Sequence, residues 1–192
     1  MIPIIHKVNS IESLKKIPKN YGVELDIRNS TSGLILSHEP SNEGTLFEEY
    51  LEEYNNKLLV ANIKESGIED EVIRLIKNKN IDNFFLLDVE FPYIYQNFEL
   101  NKKYLSTRFS KYESIDSVKN LIKKVEWLWV DTYSDFDIDN NCAEVMSNFK
   151  ICLVSPSRWG LQDMVDSYLD KFKNFAIKID AIMIENDEKF TN

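Results

Sequence analysis

Eight short apolar runs recur along the chain, and no other feature of the sequence restricts its fold so strongly. They cover residues 3–8, 23–27, 58–63, 84–89, 104–109, 127–131, 151–154 and 181–184. Each is too short for a core helix, is rich in Ile, Val, Leu or aromatic residues, and is mostly continuous rather than alternating. A strand buried on both faces reads this way, because side chains pointing to either side meet apolar neighbours.

The segments between the runs carry helical spacing. Ser10 is a capping residue ahead of Leu14 and Ile17. Residues 46–54 repeat apolar groups at Leu46, Phe47, Tyr50, Leu51 and Tyr54, and residues 68–76 do so at Ile68, Val72, Ile73 and Ile76. Lys77 and Lys79 follow, where a helix C-terminus favours cations. Residues 114–122, 142–149 and 161–172 keep the same plan, and 92–100 is a weaker helix. Strands alternating with helices predict an α/β fold with a parallel sheet, and eight of them predict a compact (β/α)8 TIM barrel. The chain ends soon after the eighth run, so the last helix is expected to be short or missing. At 192 residues the barrel would be lean against the ~250 that are usual. The whole chain, 1–192, reads as a single domain; an open doubly wound sheet is the rival architecture. An extra apolar run at 33–37, after the turn at 29–33, is expected to pair locally with the second strand.

Hydrophobic residues make up 43% and charged residues 29%, the balance of an ordinary folded protein. The net charge of -9 argues against nucleic acid, and against an anionic membrane, as a general partner. Only Cys142 and Cys152 are present, both inside apolar segments, which suits a reduced, cytoplasmic setting. The first ten residues lack the basic and apolar regions of a signal peptide, and no run reaches the roughly 18 residues of a membrane span. Nine tyrosines and eleven phenylalanines leave room for a homodimer interface. The abundance of Ile, Asn and Lys suggests an AT-rich bacterial genome.

In barrels of this class the chemistry sits at the C-terminal ends of strands. His6 and Lys7 end the first run. Glu24 and Asp26 lie at i, i+2 in the second, so both point to one face. His38 ends the extra run, and Asn62 and Lys64 share a face of the third. A lone histidine at a strand end is more often structural than catalytic. This chain, however, has two histidines in all, and both flank a carboxylate pair that burial would make repulsive without a cation. Oxygen ligands of this kind suit magnesium or calcium. Arg108 and Arg158 stand at later strand ends, where a fork of donors would suit a phosphate or carboxylate. Trp159 follows in a loop and could stack on a sugar or headgroup, whereas Trp127 and Trp129 read as core.

Val23-Glu24-Leu25-Asp26-Ile27, followed by Gly33-Leu34-Ile35-Leu36-Ser37-His38-Glu39, resembles the glycerophosphodiester phosphodiesterase signature of a Glu-Leu-Asp strand, a turn with Gly, and a strand ending in His-Asp. Ile5-His6-Lys7 resembles the family's opening His-Arg-Gly, Asn62-Ile63-Lys64 its Glu-Ile-Lys, and Thr45-Leu46-Phe47-Glu48-Glu49 its Thr-Leu-Glu-Glu. Asp180-Ala181-Ile182-Met183-Ile184-Glu185-Asn186 resembles its closing strand. The likeness follows the whole order of runs and is strongest over residues 1–64.

The resemblance implies phosphodiester cleavage of a glycerophosphodiester-like substrate. His6, His38 and Lys64 would be catalytic, and Glu24, Asp26 and Asn62 would hold a divalent metal, Mg or Ca. Lys7, Arg108, Arg158 and Trp159 would bind substrate. Two departures matter. Asn62 stands where the family has a third carboxylate, and the family's insertion after His-Asp is absent. His6-Lys7-Val8-Asn9 also resembles the His-Met-Val-Asn of sphingomyelinase D, whose kind forms cyclic phosphates, so a lyase stands beside a hydrolase as an outcome. A barrel that binds a phosphorylated metabolite or a protein partner without turnover would fit the same residues. An unrelated barrel, with the carboxylate pair arising by chance, would fit them too.

Overall fold

A computed structural model describes residues 1–185 and divides them into two compact units, one of Ile2–Phe91 and one that begins at Pro92. All eight apolar runs are strands, and the strands joined through helices are parallel.

The first unit contains β1 (Ile2–Ile5), α1 (Ile11–Leu14), β2 (Gly22–Ser30), β3 (Gly33–Leu36), β4 (Thr45–Leu46), α2 (Phe47–Glu53), β5 (Leu58–Ile63), α3 (Glu69–Asn78) and β6 (Phe84–Leu87). β2 is its longest strand, with nine residues, and the others are organised on it. It pairs parallel with β1 at Gly22 and Val23 and parallel with β5 from Gly22 to Ile27. Its second half, residues 27–30, turns back antiparallel on β3, the local pairing the extra run predicts. Every residue of β5 is buried, which is why that segment reads as an unbroken apolar run.

Gly22 is required where β1, β2 and β5 converge. A Cβ there would lie 2.9 Å from the Leu58 carbonyl oxygen and 3.0 Å from Ile4 Cγ1. The helices obey the spacing argument. Ser10 caps α1 by accepting the Ser13 N–H, and α3 buries Val72, Ile73, Leu75 and Ile76. Glu69, Asp70 and Glu71 in its first turn and Lys77 in its last complement the helix dipole.

The second unit begins within α4 (Phe91–Asn101) and continues through β7 (Ser106–Phe109), α5 (Ile115–Lys119), β8 (Trp127–Val130), α6 (Asn140–Met146), β9 (Lys150–Val154), α7 (Val165–Asn174) and β10 (Ile179–Ile184). Its strands run in the order β7-β8-β9-β10, all parallel. Ser114 and Asp139 cap α5 and α6 with side-chain oxygens. α4 buries only Ile94, which accounts for its weak periodicity. Trp127 and Trp129 are buried, as core residues should be.

The expected short or missing last helix falls on residues 186–192, outside the described residues. Among the described residues no helix is long and apolar enough to cross a membrane.

Leu25 is fully buried in β2. Its replacement by alanine is expected to cost about 2–5 kcal/mol in chemical denaturation. Gly22→Ala, which pushes a methyl against a carbonyl, is expected to cost about 1–3 kcal/mol in the same assay.

Candidate functional site

Parallel pairing brings the polar interruptions of three strands to one place in the first unit. In the β2–β5 register Asp26 lies opposite Asn62 and Glu24 opposite Val60. Strand alternation therefore sends Glu24, Asp26, Asn62 and Lys64 to the same face. The ladder continues past β5 through the Lys64 N–H to the Ile27 carbonyl, which holds Lys64 beside β2. The chain leaving β1 is tied to the same strand by the Val8 N–H bonded to the Glu24 carbonyl.

Both carboxylates are withdrawn from water, with Glu24 1% exposed and Asp26 0%. Each is held by donors. Glu24 Oε2 accepts the Lys7 N–H at 2.8 Å, and its Oε1 accepts Asn62 Nδ2 at 2.9 Å. Lys7 reaches this position with φ 54°, a left-handed conformation that a side-chain-bearing residue adopts only when its surroundings enforce it. Asp26 Oδ2 accepts Asn9 Nδ2 at 2.8 Å, while Asn9 Oδ1 accepts the Asp26 N–H at 2.9 Å. Lys64 Nζ stands 3.0 Å from Asp26 Oδ1 as an ion pair, without the alignment of a hydrogen bond. His6 Nε2 is 3.8 Å from Glu24 Oε2.

Two negative groups therefore share one buried face with one ammonium. Burial pushes the Glu24 carboxyl up to about 7, and the Asp26 charge pushes in the same direction. The Lys7 N–H, the Asn62 amide and the Lys64 charge oppose the rise without cancelling it. Two buried oxygens, Asp26 Oδ1 and Asn62 Oδ1, have no hydrogen-bond donor. Hard, under-donated oxygens beside surplus negative charge fit a divalent cation. The set of Glu24, Asp26 and Asn62 is thus chemically suitable, with two charges instead of three. Among the described residues no group of three His, Cys, Asp or Glu side chains is placed for a metal.

The structure brings together His6, Lys7, Glu24, Asp26, Asn62 and Lys64. His38 joins them through the main chain: the Ser37 N–H bonds the Asp26 carbonyl at 3.0 Å, one residue before it. The imidazole itself is 43% exposed and has Nδ1 2.6 Å from Glu39 Oε1. Asn9 is a site residue that the strand-end rule does not reach. Its signal in the sequence is weak, since an asparagine three residues past a histidine announces no role until its partner is known.

Arg108, Arg158 and Trp159 belong to the second unit. Arg108 in β7 is paired with Asp131, whose other oxygen accepts Trp129 Nε1 at 3.2 Å. Burial raises the Asp131 carboxyl above its ordinary range, against the pull of the Arg108 charge. Arg158 is paired with Glu185, and its guanidinium carbon is 5.8 Å from the Trp159 ring centre. Trp159, 39% exposed, leans on Tyr133 with centroids 4.4 Å apart. Both guanidinium groups already carry a carboxylate, so an anionic ligand would have to share them.

The sign of the Glu24 shift sets a test. Its ordinary value is 4.5 and its folded value about 7, so between these the folded chain holds a proton that the unfolded chain has released. Stability from this group is full at low pH and is lost as pH rises through about 7. With divalent cations chelated, the wild type is expected to lose more stability than Glu24→Gln between pH ~5 and ~8 in denaturant titrations.

No protein-family model matches the chain, and no curated protein matches it. Solved structures do. A glycerophosphodiester phosphodiesterase from Agrobacterium tumefaciens superposes with a TM-score of 0.64 at 12% identity, covering 95% of this chain and 96% of the other. A glycerophosphoryl diester phosphodiesterase from Parabacteroides distasonis gives 0.59 at 12% identity, covering 95% and 81%. At that identity the likeness is one of fold, and it bears out the α/β class read from the alternating runs: this chain shares the α/β fold of the two solved glycerophosphodiester phosphodiesterases.

Proposed function

We propose that the chain is a phosphoric diester hydrolase acting on a glycerophosphodiester-like substrate. The observation that carries this reading is the buried Glu24–Asp26 pair with Lys64 Nζ 3.0 Å from Asp26, on a fold shared with such enzymes. Glu24, Asp26 and Asn62 would hold Mg or Ca, which when bound supplies Lewis-acid polarisation of the phosphoryl oxygens. The chain's own groups do the rest. His6, beside Glu24, takes or returns a proton at its ring nitrogen, for which an imidazole is suited near neutrality. His38 supplies the opposite step after turning from Glu39. Lys64 and Lys7 oppose the negative charge that spreads over the phosphate in the transition state. Arg108, Arg158 and Trp159 are proposed to contact the substrate alcohol. The expected setting is cytoplasmic, with no nucleic acid or inserted membrane partner, and the aromatic content is compatible with a homodimer.

The exposed His38 imidazole paired with Glu39, together with neutral Asn62, favours a second reading. In it the same site binds a phosphorylated metabolite without turnover. A lyase that forms a cyclic phosphate is the third outcome, and phosphorus NMR of the products distinguishes it from the hydrolase.

Hydrolysis of bis-(p-nitrophenyl) phosphate or glycerophosphodiesters is the test. Activity is expected to vanish with EDTA and return with Mg or Ca, and His6→Ala and His38→Ala are each expected to lose about 10²–10⁴-fold in kcat. Unchanged turnover in both alanine variants contradicts the assignment. Asn62→Glu restores a third charge and is expected to tighten metal binding about tenfold or more, read by calorimetry.

A further inference from the structure

β2 carries a third polar side chain on the face of Glu24 and Asp26. Alternation by two residues puts Arg28 there, next along the strand towards its C-terminal end. Its neighbours are main-chain oxygens. Arg28 Nη2 donates to the His38 carbonyl at 3.0 Å and Nε to the same oxygen at 3.3 Å. Nη1 donates to the Lys64 carbonyl at 3.3 Å. One planar guanidinium therefore spans from the end of β3 to the end of β5 and grips the backbone of two residues assigned to catalysis.

The need for such a tie is visible in the loop itself. Residues 38–44 are exposed throughout, so little packing fixes them. The bonds within the loop are local: Ser37 Oγ donates to the Glu39 carbonyl, and the Glu43 N–H donates to Ser41 Oγ. Arg28, by contrast, reaches ten residues to His38 and thirty-six to Lys64. Arg108 and Arg158 are each bound to a carboxylate, whereas Arg28 bonds the neutral carbonyls of His38 and Lys64. A lysine cannot substitute fully, because a single ammonium lacks the rigid fork that engages two acceptors at once.

We propose that Arg28 is a positioning residue that sets the relative placement of His38 and Lys64 through their backbone carbonyls. The proposal rests on the hydrolase reading for its catalytic consequence but not for its structural content. Two measurements separate these. Amide hydrogen exchange on Arg28→Ala is expected to show residues 38–44 and 64–67 exchanging about tenfold faster together, with the rest of the first unit unchanged. Arg28→Lys, which keeps the charge and protects against a failure to fold, is expected to loosen at least one of the two segments. Unchanged exchange in either segment of a folded Arg28→Ala overturns the tie; if only the lysine variant folds, unchanged exchange in both segments does so.

The catalytic arm is the split between kcat and KM. Misplacement predicts that kcat falls about 10- to 100-fold while KM stays within about twofold. A simple loss of stability would lower the melting temperature and leave kcat of the folded protein intact, and that result also overturns the positioning role. If the wild type shows no phosphodiester turnover, the hydrolase reading fails, and the exchange experiment alone decides the tie.

Discussion

Everything at the candidate site follows from burying two carboxylates on one face of β2. In water Glu24 and Asp26 would cost nothing; at 1% and 0% exposure each needs donors and a share of positive charge. The fold supplies them from two segments: the chain leaving β1 gives Lys7, held at a left-handed angle, and Asn9, bonded to both the side chain and the main chain of Asp26, and the end of β5 gives Asn62 and, one residue past it, Lys64. The supply is incomplete. Glu24 remains pushed up to about 7, and two oxygens remain without donors. An arrangement that carries surplus negative charge in a dry place is held against stability, and sites that do so are characteristically functional.

Much of this is legible in the chain itself. A residue-by-two rule puts Glu24 with Asp26 and Asn62 with Lys64, and parallel pairing, implied by continuous apolar runs, puts the two sets side by side. What stays hidden depends on side-chain reach and on local turns. His38 follows the right strand, yet its ring meets Glu39, the next residue, and sequence order does not say which way the imidazole turns. Arg28 obeys the same parity as Glu24 and Asp26 but escapes notice, because an arginine near a turn ordinarily reads as solvated. Its role becomes visible only through the carbonyls it reaches. The pairing of Arg108 and Arg158 with Asp131 and Glu185 is equally out of reach, since those contacts join different strand ends.

Asn62 sharpens the chemistry. An amide in place of a carboxylate lowers the charge opposing a divalent ion, and it also donates a hydrogen bond that a carboxylate could not. The same side chain thus steadies Glu24 and weakens the electrostatic pull on a cation. Lys64 compounds the effect, since its ammonium already serves Asp26. On the proposed hydrolase reading, such a site would suit a weakly held ion better than one permanently caged by protein.

Calorimetric titration of Mg or Ca into the wild type and into Asp26→Asn tests the central claim most directly, namely that the Glu24–Asp26 face is a cation site. The account predicts a single binding event in the wild type that is weakened at least about tenfold in the variant, while the fold is retained. Binding that is absent from the wild type, or equal in the two proteins, would contradict it.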